Sequence, residues 1–593
     1  MNWNPTWICP ANDLGDPAAV FGTSFVFEKK ITHANLTITA MGVYEAILNG
    51  RRVGQFVMAP GWTSYHKRLQ YQEYDITDLL TNGKNEIEVT VGKGWYRSPL
   101  PGWLGCAYQD ELRSRPCGLA AQITLTFEDG SSKILSTNES WKVSDGPVRF
   151  SEIYDGEIYD AAKTPSLDQS VSIFDGPTDT LILQQGEEVC EQERLAVKKV
   201  FVTPNGETVL DFGQNMTGYV ELFVNAKAGD CVDLSFAEVM DKEGNFYTEN
   251  YRSAKAQYHY ICKDGIQTWH PSLTFYGFRY IRINDFPGGI DCVKPENFTA
   301  IAVHSNMKRT GFLSSSNTLL NQLFSNIIWG QKGNFLDVPT DCPQRDERLG
   351  WTGDAQVFVR TACLNYDAEK FFTKWLADLA SDQHDDGYVG HVIPDLLQNP
   401  QASSAWGDAA VICPWQVYLA FGNKQILKNQ YQSMKKWIDY ITSTTTTKYL
   451  WTGGTHYGDW LGLDAPSGSY KGSSNEDFIA SAFYAYSTSL VIQAGTVLGE
   501  DVSALSTLYE NIVNTFQKTW PTYHTQTECV LAAHFKLAKN CQAAADQLAD
   551  MVRACGTKLQ TGFVGTPYLL HVLSDYGYTD LAWDLLLRTK YPS

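Results

Sequence analysis

Asn334–Phe358 reads NFLDVPTDCPQRDERLGWTGDAQVF, and the segments on either side are best understood from it. It carries the acids Asp337, Asp341, Asp346, Glu347 and Asp354, with Arg345 and Arg348 among them and Arg360 just beyond. Pro339 and Pro343 forbid a regular helix through the first half. The segment therefore reads as a shaped loop that feeds a helix beginning near Gly353. Carboxylates crowded beside Trp351 suit carbohydrate chemistry, in which acids move protons and an aromatic face packs on a sugar ring. The ordinary alternative is a salt-bridged surface turn. The prolines and the apolar flanks Phe335, Leu336, Val357 and Phe358 weigh against it.

From near His304 onward the hydrophobic period is helical. SSSNTLLNQLFSNIIWGQKGNF opens on serine and asparagine caps and then places Leu319, Leu320, Leu323, Ile327 and Ile328 at helical spacing. Helical segments continue to the end, joined by loops containing Gly, Pro, Asp and Trp, which suggests an α/α barrel. Two loops stand out. SSAWGDAA places Trp406 and Asp408 at a helix start, and HYGDWLGLDAP holds His456, Asp459, Trp460 and Asp464 between helices. DDGYVGHVIPD, with Asp386, His391 and Asp395, reads as a shaped loop.

N-terminal to it the period is two. LTITAMGVYEAILNGRRVG alternates apolar and polar residues and turns at Asn49-Gly50, and LAAQITLTFEDGSSKILS turns at Asp129-Gly130. This predicts an antiparallel, jelly-roll-like β-sandwich over residues 1–197. A second β domain is predicted over 198–303, and an all-α domain over 304–593. The loops PGWTSYHKR (from Pro60) and GKGWYRSPLPGW (from Gly92) either bind sugar or anchor a neighbouring segment. Tyr247, Glu249 and Asn250 of GNFYTENYR make a further polar, aromatic loop.

The 593 residues exceed what one core serves, in line with several domains. A net charge of −19 with scattered basic residues argues against a nucleic-acid surface. No apolar run has the length of a membrane span. The N-terminus lacks a basic stretch followed by an apolar one, and the 13 cysteines are dispersed, so a cytoplasmic protein with free thiols is expected. No metal site or cofactor is expected.

Hydrolysis of a glycoside requires one carboxylic acid to protonate the leaving oxygen and a second carboxylate as nucleophile or base. The acid must be kept protonated by burial or a neighbouring like charge. Asp341, Asp346 and Glu347 supply such crowding, and Arg345 can clamp a carboxylate or sugar hydroxyls. In a helix, Glu347, Trp351 and Asp354 would share one face. In a loop, their convergence depends on the fold.

The run DVPTDCPQRDERLGWTGDAQVF resembles the signature of bacterial α-L-rhamnosidases of glycoside hydrolase family 78. GVYEAILNGRRVGQFVMAPGWTSYHKRLQYQEYDIT, LDFGQNMTGYVEL, FYGFRYIRI, SAWGDAAVICPW and YGDWLGLD resemble other parts of the same family. The resemblance implies an (α/α)6 barrel and hydrolysis of terminal non-reducing α-L-rhamnosides with inversion. It implies Glu347 as general acid, and Asp341, Arg345, Trp351 and Asp354 as the lining of the rhamnose subsite. Trp406 and Trp460 would wall it, with Asp459 beside them. The substrate would be a rhamnose-containing oligosaccharide or glycoside. The family's base is a glutamate following a segment that resembles TGFVGTPYLLHVLSDYGYTDLAWDLLLRTKYPS, where this sequence stops. An incomplete barrel is therefore expected, with Glu476 and Asp464 as internal substitutes for the base. Exposed apolar helix faces would then favour pairing with another chain, a homo-oligomer being one form. A rhamnoside-binding fragment without activity, and another inverting glycosidase on the same barrel, are the alternatives.

Overall fold

The computed structural model describes residues 3–103, 115–399 and 401–592. They divide into two compact units. The first is Met1–Met307 with Ser325–Leu349, and the second is Lys308–Phe324 with Gly350–Ser593.

The first unit is built from β-sheet. In Gly118–Phe127 the residues Leu119, Ala121, Ile123, Leu125 and Phe127 are buried while Gln122, Thr124 and Thr126 are half-buried, the alternation that a one-sided strand demands. This strand pairs antiparallel with Ile31–Met41 inside a 12-stranded sheet. Val43–Leu48 turns into Arg51–Arg52 through Asn49 (φ 53°) and Gly50 (φ 73°), the two positive φ values that a tight hairpin needs. The turn expected at Asp129-Gly130 likewise joins Gly118–Phe127 to Ser132–Ser136.

A 10-stranded sheet follows, and its membership is not read off in chain order. Val148–Glu152, Gly156–Asp160 and Val189–Ala196 precede residue 198, yet they pair within this second sheet. Gly156–Asp160 lies parallel to Gln257–Ile261. A pairing across so many residues leaves no trace in local periodicity. Beyond the sheet, Phe335–Leu336 and Val338–Pro339 form a small ribbon with Asp337 at its turn (φ 67°). The Asp337 N–H donates to Ser305 Oγ at 2.9 Å, and its carboxylate accepts from the Trp62 N–H. Trp62 and Trp95 are buried and stack at 5.7 Å. The loop from Pro60 thus anchors the Asp337 ribbon.

Helices α1 to α11 follow: α1 (Thr318–Asn334), α2 (Thr352–Asn365), α3 (Glu369–Asp382), α4 (Ala409–Phe421), α5 (Lys424–Thr444), α6 (Glu476–Leu498), α7 (Ser503–Thr519), α8 (Gln526–His534), α9 (Cys541–Ala554), α10 (Thr566–Asp575) and α11 (Thr579–Leu586). In the second unit the even-numbered helices α2 to α10 pack on one another in succession, and the odd-numbered ones pack against them as hairpin partners. Sequence decides which is which. α4 and α6 are apolar almost all round and largely buried, whereas α5, α7 and α9 bury one stripe.

Asn317 Oδ1 caps α1 by accepting from the N–H groups of Leu319 and Leu320. Leu319 and Leu323, at the helical spacing noted above, are exposed, as are Phe312, Leu313 and Leu364. Helical spacing says which side chains share a face, not what covers it. Among the described residues no helix is long and apolar enough to cross a membrane.

Candidate active-site residues

Residues 341–349 close on themselves. The Asp341 N–H donates to Leu349 O and the Leu349 N–H donates to Asp341 Oδ1, both at 3.0 Å. Arg348 (φ 54°) makes the reversal possible. It is 1% exposed, and its guanidinium donates to four carbonyls, of Ile153 (2.9 Å), Phe275 (2.8 Å), Gln344 (2.9 Å) and Arg345 (3.1 Å). Arg348 is a strut, and its charge is used on backbone rather than on the acids.

Held in this loop, Asp341, Arg345 and Glu347 come together. Arg345 Nη2 lies 3.3 Å from Asp341 Oδ2 and 3.0 Å from Glu347 Oε2. A second guanidinium comes from the GNFYTENYR loop. Arg252 Nη2 lies 3.1 Å from the same Glu347 Oε2, and its Nε donates to Asp346 Oδ1 at 2.5 Å. Ser253 Oγ donates to the other Asp346 oxygen, and the Tyr154 hydroxyl donates to the Glu347 carbonyl at 2.6 Å. Arg252 adopts a φ of 55° and ψ of −115°, a strained backbone that its surroundings enforce.

The cluster has a definite charge balance. Asp341, Asp346 and Glu347 face the guanidiniums of Arg252 and Arg345, so one extra proton makes the group neutral. Burial, and then the negative charge of Glu347, push the Asp341 carboxyl up to about 7. The Cys342 thiol and the Asp341 and Glu347 carboxyls offer donor atoms within 4.8 Å of one another. With two guanidiniums already on those carboxylates, the geometry suits a proton better than a metal cation. The Arg345 Nε is buried without a hydrogen-bond partner among the described residues, a donor that a ligand oxygen would satisfy.

In the second unit the expected aromatics converge on Tyr457, a residue that sequence reasoning passed over. Its ring centroid lies 4.5 Å from that of Trp406, 5.6 Å from Trp460 and 6.0 Å from Trp351. Trp406 is buried against the start of α2, where the helix begins at Thr352, close to the expected Gly353. A Cβ at Gly353 would stand 2.4 Å from the Trp406 indole, so glycine is required by close approach. Asp408 fixes this loop. It is fully buried and accepts from the Ala405 N–H, the Trp437 indole and Ser487.

His391 does more than shape its loop. Its Nδ1 lies 2.9 Å from the Tyr457 hydroxyl and accepts from Asn399 Nδ2 at 2.7 Å. Burial lowers its pKa to about 4, so the ring is neutral and its proton is assigned to Nε2. The Trp406 Nε1 is a buried donor without a partner among the described residues. Such a group is costly unless a ligand supplies an acceptor.

The remaining candidates are placed as follows. Asp354 is half-buried in the first turn of α2, where the helix dipole favours a negative charge. Asp459 is buried, and both its oxygens accept from protein donors: Thr527 Oγ1 (2.5 Å), the Gly562 N–H (2.8 Å) and the Val564 N–H (3.0 Å). It latches the segment that carries Phe563, which stacks 6.0 Å from Trp406. Glu476 holds Lys471 on both oxygens, and Asp464 accepts from the Ser473 N–H.

β domains followed by paired helices, with a buried carboxylate–arginine cluster, fit a multidomain glycosidase. Residues 308–593 match the bacterial alpha-L-rhamnosidase 6 hairpin glycosidase domain. Residues 29–197 match the alpha-L-rhamnosidase N-terminal domain, and 201–304 the bacterial alpha-L-rhamnosidase concanavalin-like domain. An α-L-rhamnosidase of Formosa agariphila is 37% identical over 96% of this chain and 63% of its own length. The crystal structure of an Aspergillus terreus α-L-rhamnosidase is similar at a TM-score of 0.94 and 36% identity, over 100% of this chain and 71% of that one. The structure of the Streptomyces avermitilis enzyme complexed with L-rhamnose is similar at a TM-score of 0.91 and 36% identity, over 97% and 56%. The chain belongs to the bacterial α-L-rhamnosidase family. It spans about 63% of the length of the Formosa agariphila relative.

Proposed function

We propose that this chain acts on terminal non-reducing α-L-rhamnosides and hydrolyses them with inversion, Glu347 being the general acid. The observation that carries this reading is the clamp on Glu347 Oε2 by Arg252 and Arg345, beside an Asp341 whose proton affinity is raised toward neutrality. Asp341 then holds a proton near neutral pH, with its carboxyl within 4.8 Å of that of Glu347. Glu347 passes a proton to the glycosidic oxygen as the bond from that oxygen to the anomeric carbon breaks. A water activated by a base attacks the opposite face of the sugar. The family resemblance assigns rhamnose contacts to Asp341 and Arg345 in the first unit and to Trp351, Asp354, Trp406 and Trp460 in the second, where Tyr457 and His391 lie beside the indoles. Asp459 is assigned to holding the Phe563 segment.

The test combines calorimetry with L-rhamnose and turnover of an aryl α-L-rhamnoside, the first-formed anomer being read by NMR. Glu347→Gln is expected to lower turnover by ~10²–10⁴-fold, the range for general acid catalysis, while rhamnose binding persists. A small loss would exclude Glu347 as the acid. Retention of configuration would exclude the inverting mechanism. Absence of both binding and turnover, or preference for another sugar in a panel of aryl glycosides, would exclude the substrate.

A further inference from the structure

The loop GKGWYRSPLPGW contributes two tryptophans with different fates. Trp95 is buried against Trp62 and Phe275. Trp103 is 42% exposed, although burying an indole is among the larger apolar gains open to a fold. Its position is tightly fixed. The preceding Gly102 donates its N–H to the Asp346 carbonyl at 3.0 Å, and a Cβ on Gly102 would stand 2.6 Å from the Asp346 Cβ. The loop is thus pressed onto the residue immediately before Glu347.

The side chain is tied to the same place. The Arg252 guanidinium carbon lies 5.2 Å from the Trp103 ring centroid, within the range of a cation–π contact. The same guanidinium is 3.1 Å from Glu347 Oε2. Ring, guanidinium and carboxyl therefore stand in series. The bond protonated by Glu347 must lie about 3 Å from its carboxyl, and the group on the far side of that bond is the leaving group. An exposed indole one guanidinium removed from the acid is within reach of that group.

We propose that Trp103, oriented by Arg252, is the platform on which the leaving group of the substrate stacks, and that it favours an aromatic aglycone over a small aliphatic one. The proposal rests on the rhamnosidase reading above. The indole offers a flat apolar face to a phenolic ring, whereas a methyl group leaves most of that face in water. Arg252 serves twice, as a positioning residue for the acid and as a rigid neighbour for the ring. No step of bond-breaking is assigned to Trp103, so its contribution is to specificity.

The test is calorimetric binding of phenyl α-L-rhamnoside and methyl α-L-rhamnoside to the full chain carrying Glu347→Gln, which suppresses turnover. The readout is the ratio of the two dissociation constants. Adding Trp103→Ala is expected to reduce the preference for the phenyl compound by about three- to tenfold, the worth of one aromatic pair. Trp103→Phe is expected to restore part of it. An unchanged ratio in Trp103→Ala overturns the platform, as does equal weakening of both ligands. Failure of the Glu347→Gln chain to bind either rhamnoside counts against the rhamnosidase reading itself, so the two failures are told apart.

Discussion

Replacing Asp341 by Asn should change how stability depends on pH, and the size of the change can be worked from the site. The Asp341 side chain is 7% exposed and lies with Glu347 in one cluster, and its carboxyl is pushed up to about 7. In the unfolded chain it titrates near the ordinary value of about 3.9. Between those two pH values the folded chain holds a proton that the unfolded chain releases, so stability falls as pH rises through this window. About three pH units correspond to a loss on the order of 4 kcal/mol, complete above pH ~7 and absent below pH ~4. The amide introduced by Asp341→Asn cannot titrate and lacks this slope. Urea unfolding of both proteins at pH 4.5 and pH 8, followed by tryptophan fluorescence, should show the wild type losing several kcal/mol more than Asp341→Asn. Taking the difference between the proteins removes the titration of every distant group. Glu347→Gln should narrow the window, because a charge within 4.8 Å is removed. Parallel pH dependence in wild type and Asp341→Asn would refute a proton held at this position.

Two further outcomes follow from the packing. Arg348→Met leaves four carbonyls, two of them buried, without their donor and should lower the stability of the first unit by about 3–5 kcal/mol, measured by denaturant unfolding; a loss under about 1 kcal/mol would show that the strut is dispensable. Gly353→Ala forces a methyl group against the Trp406 indole and should cost about 1–3 kcal/mol while weakening rhamnose binding by calorimetry; unchanged binding would place Trp406 outside the sugar subsite.

The sequence made the scaffold legible wherever the signal was local. The Asn49-Gly50 hairpin and the starts of α2 beside Gly353 and of α4 beside Asp408 were legible from a few adjacent residues. The family was legible because one long motif carries it. What stayed hidden depends on chain crossings. Arg252 lies three residues beyond the Glu249 of a loop that looked merely polar, and nothing in its spacing announces a partner at Glu347. Tyr457 sits between two residues already noticed, His456 and Asp459, and only the fold makes it the meeting point of three tryptophans. Asp459 looked like a sugar contact because an acid beside a tryptophan does, but backbone N–H groups more than a hundred residues away take its oxygens. Leu319 and Leu323 had the right period for a core and lie exposed.

The Arg348 strut bears on when the carboxylate–arginine cluster assembles. Its carbonyl partners at Ile153 and Phe275 lie 195 and 73 residues earlier in the chain, and Tyr154 reaches the Glu347 carbonyl across 193. Contacts so distant in sequence carry a large loop-closure entropy and form late in folding. Glu347 therefore acquires its guanidinium clamp only once the 10-stranded sheet is in place. A half-folded chain leaves Glu347 without its Arg252 and Tyr154 contacts, and the carboxylate–arginine cluster assembles together with the finished first unit.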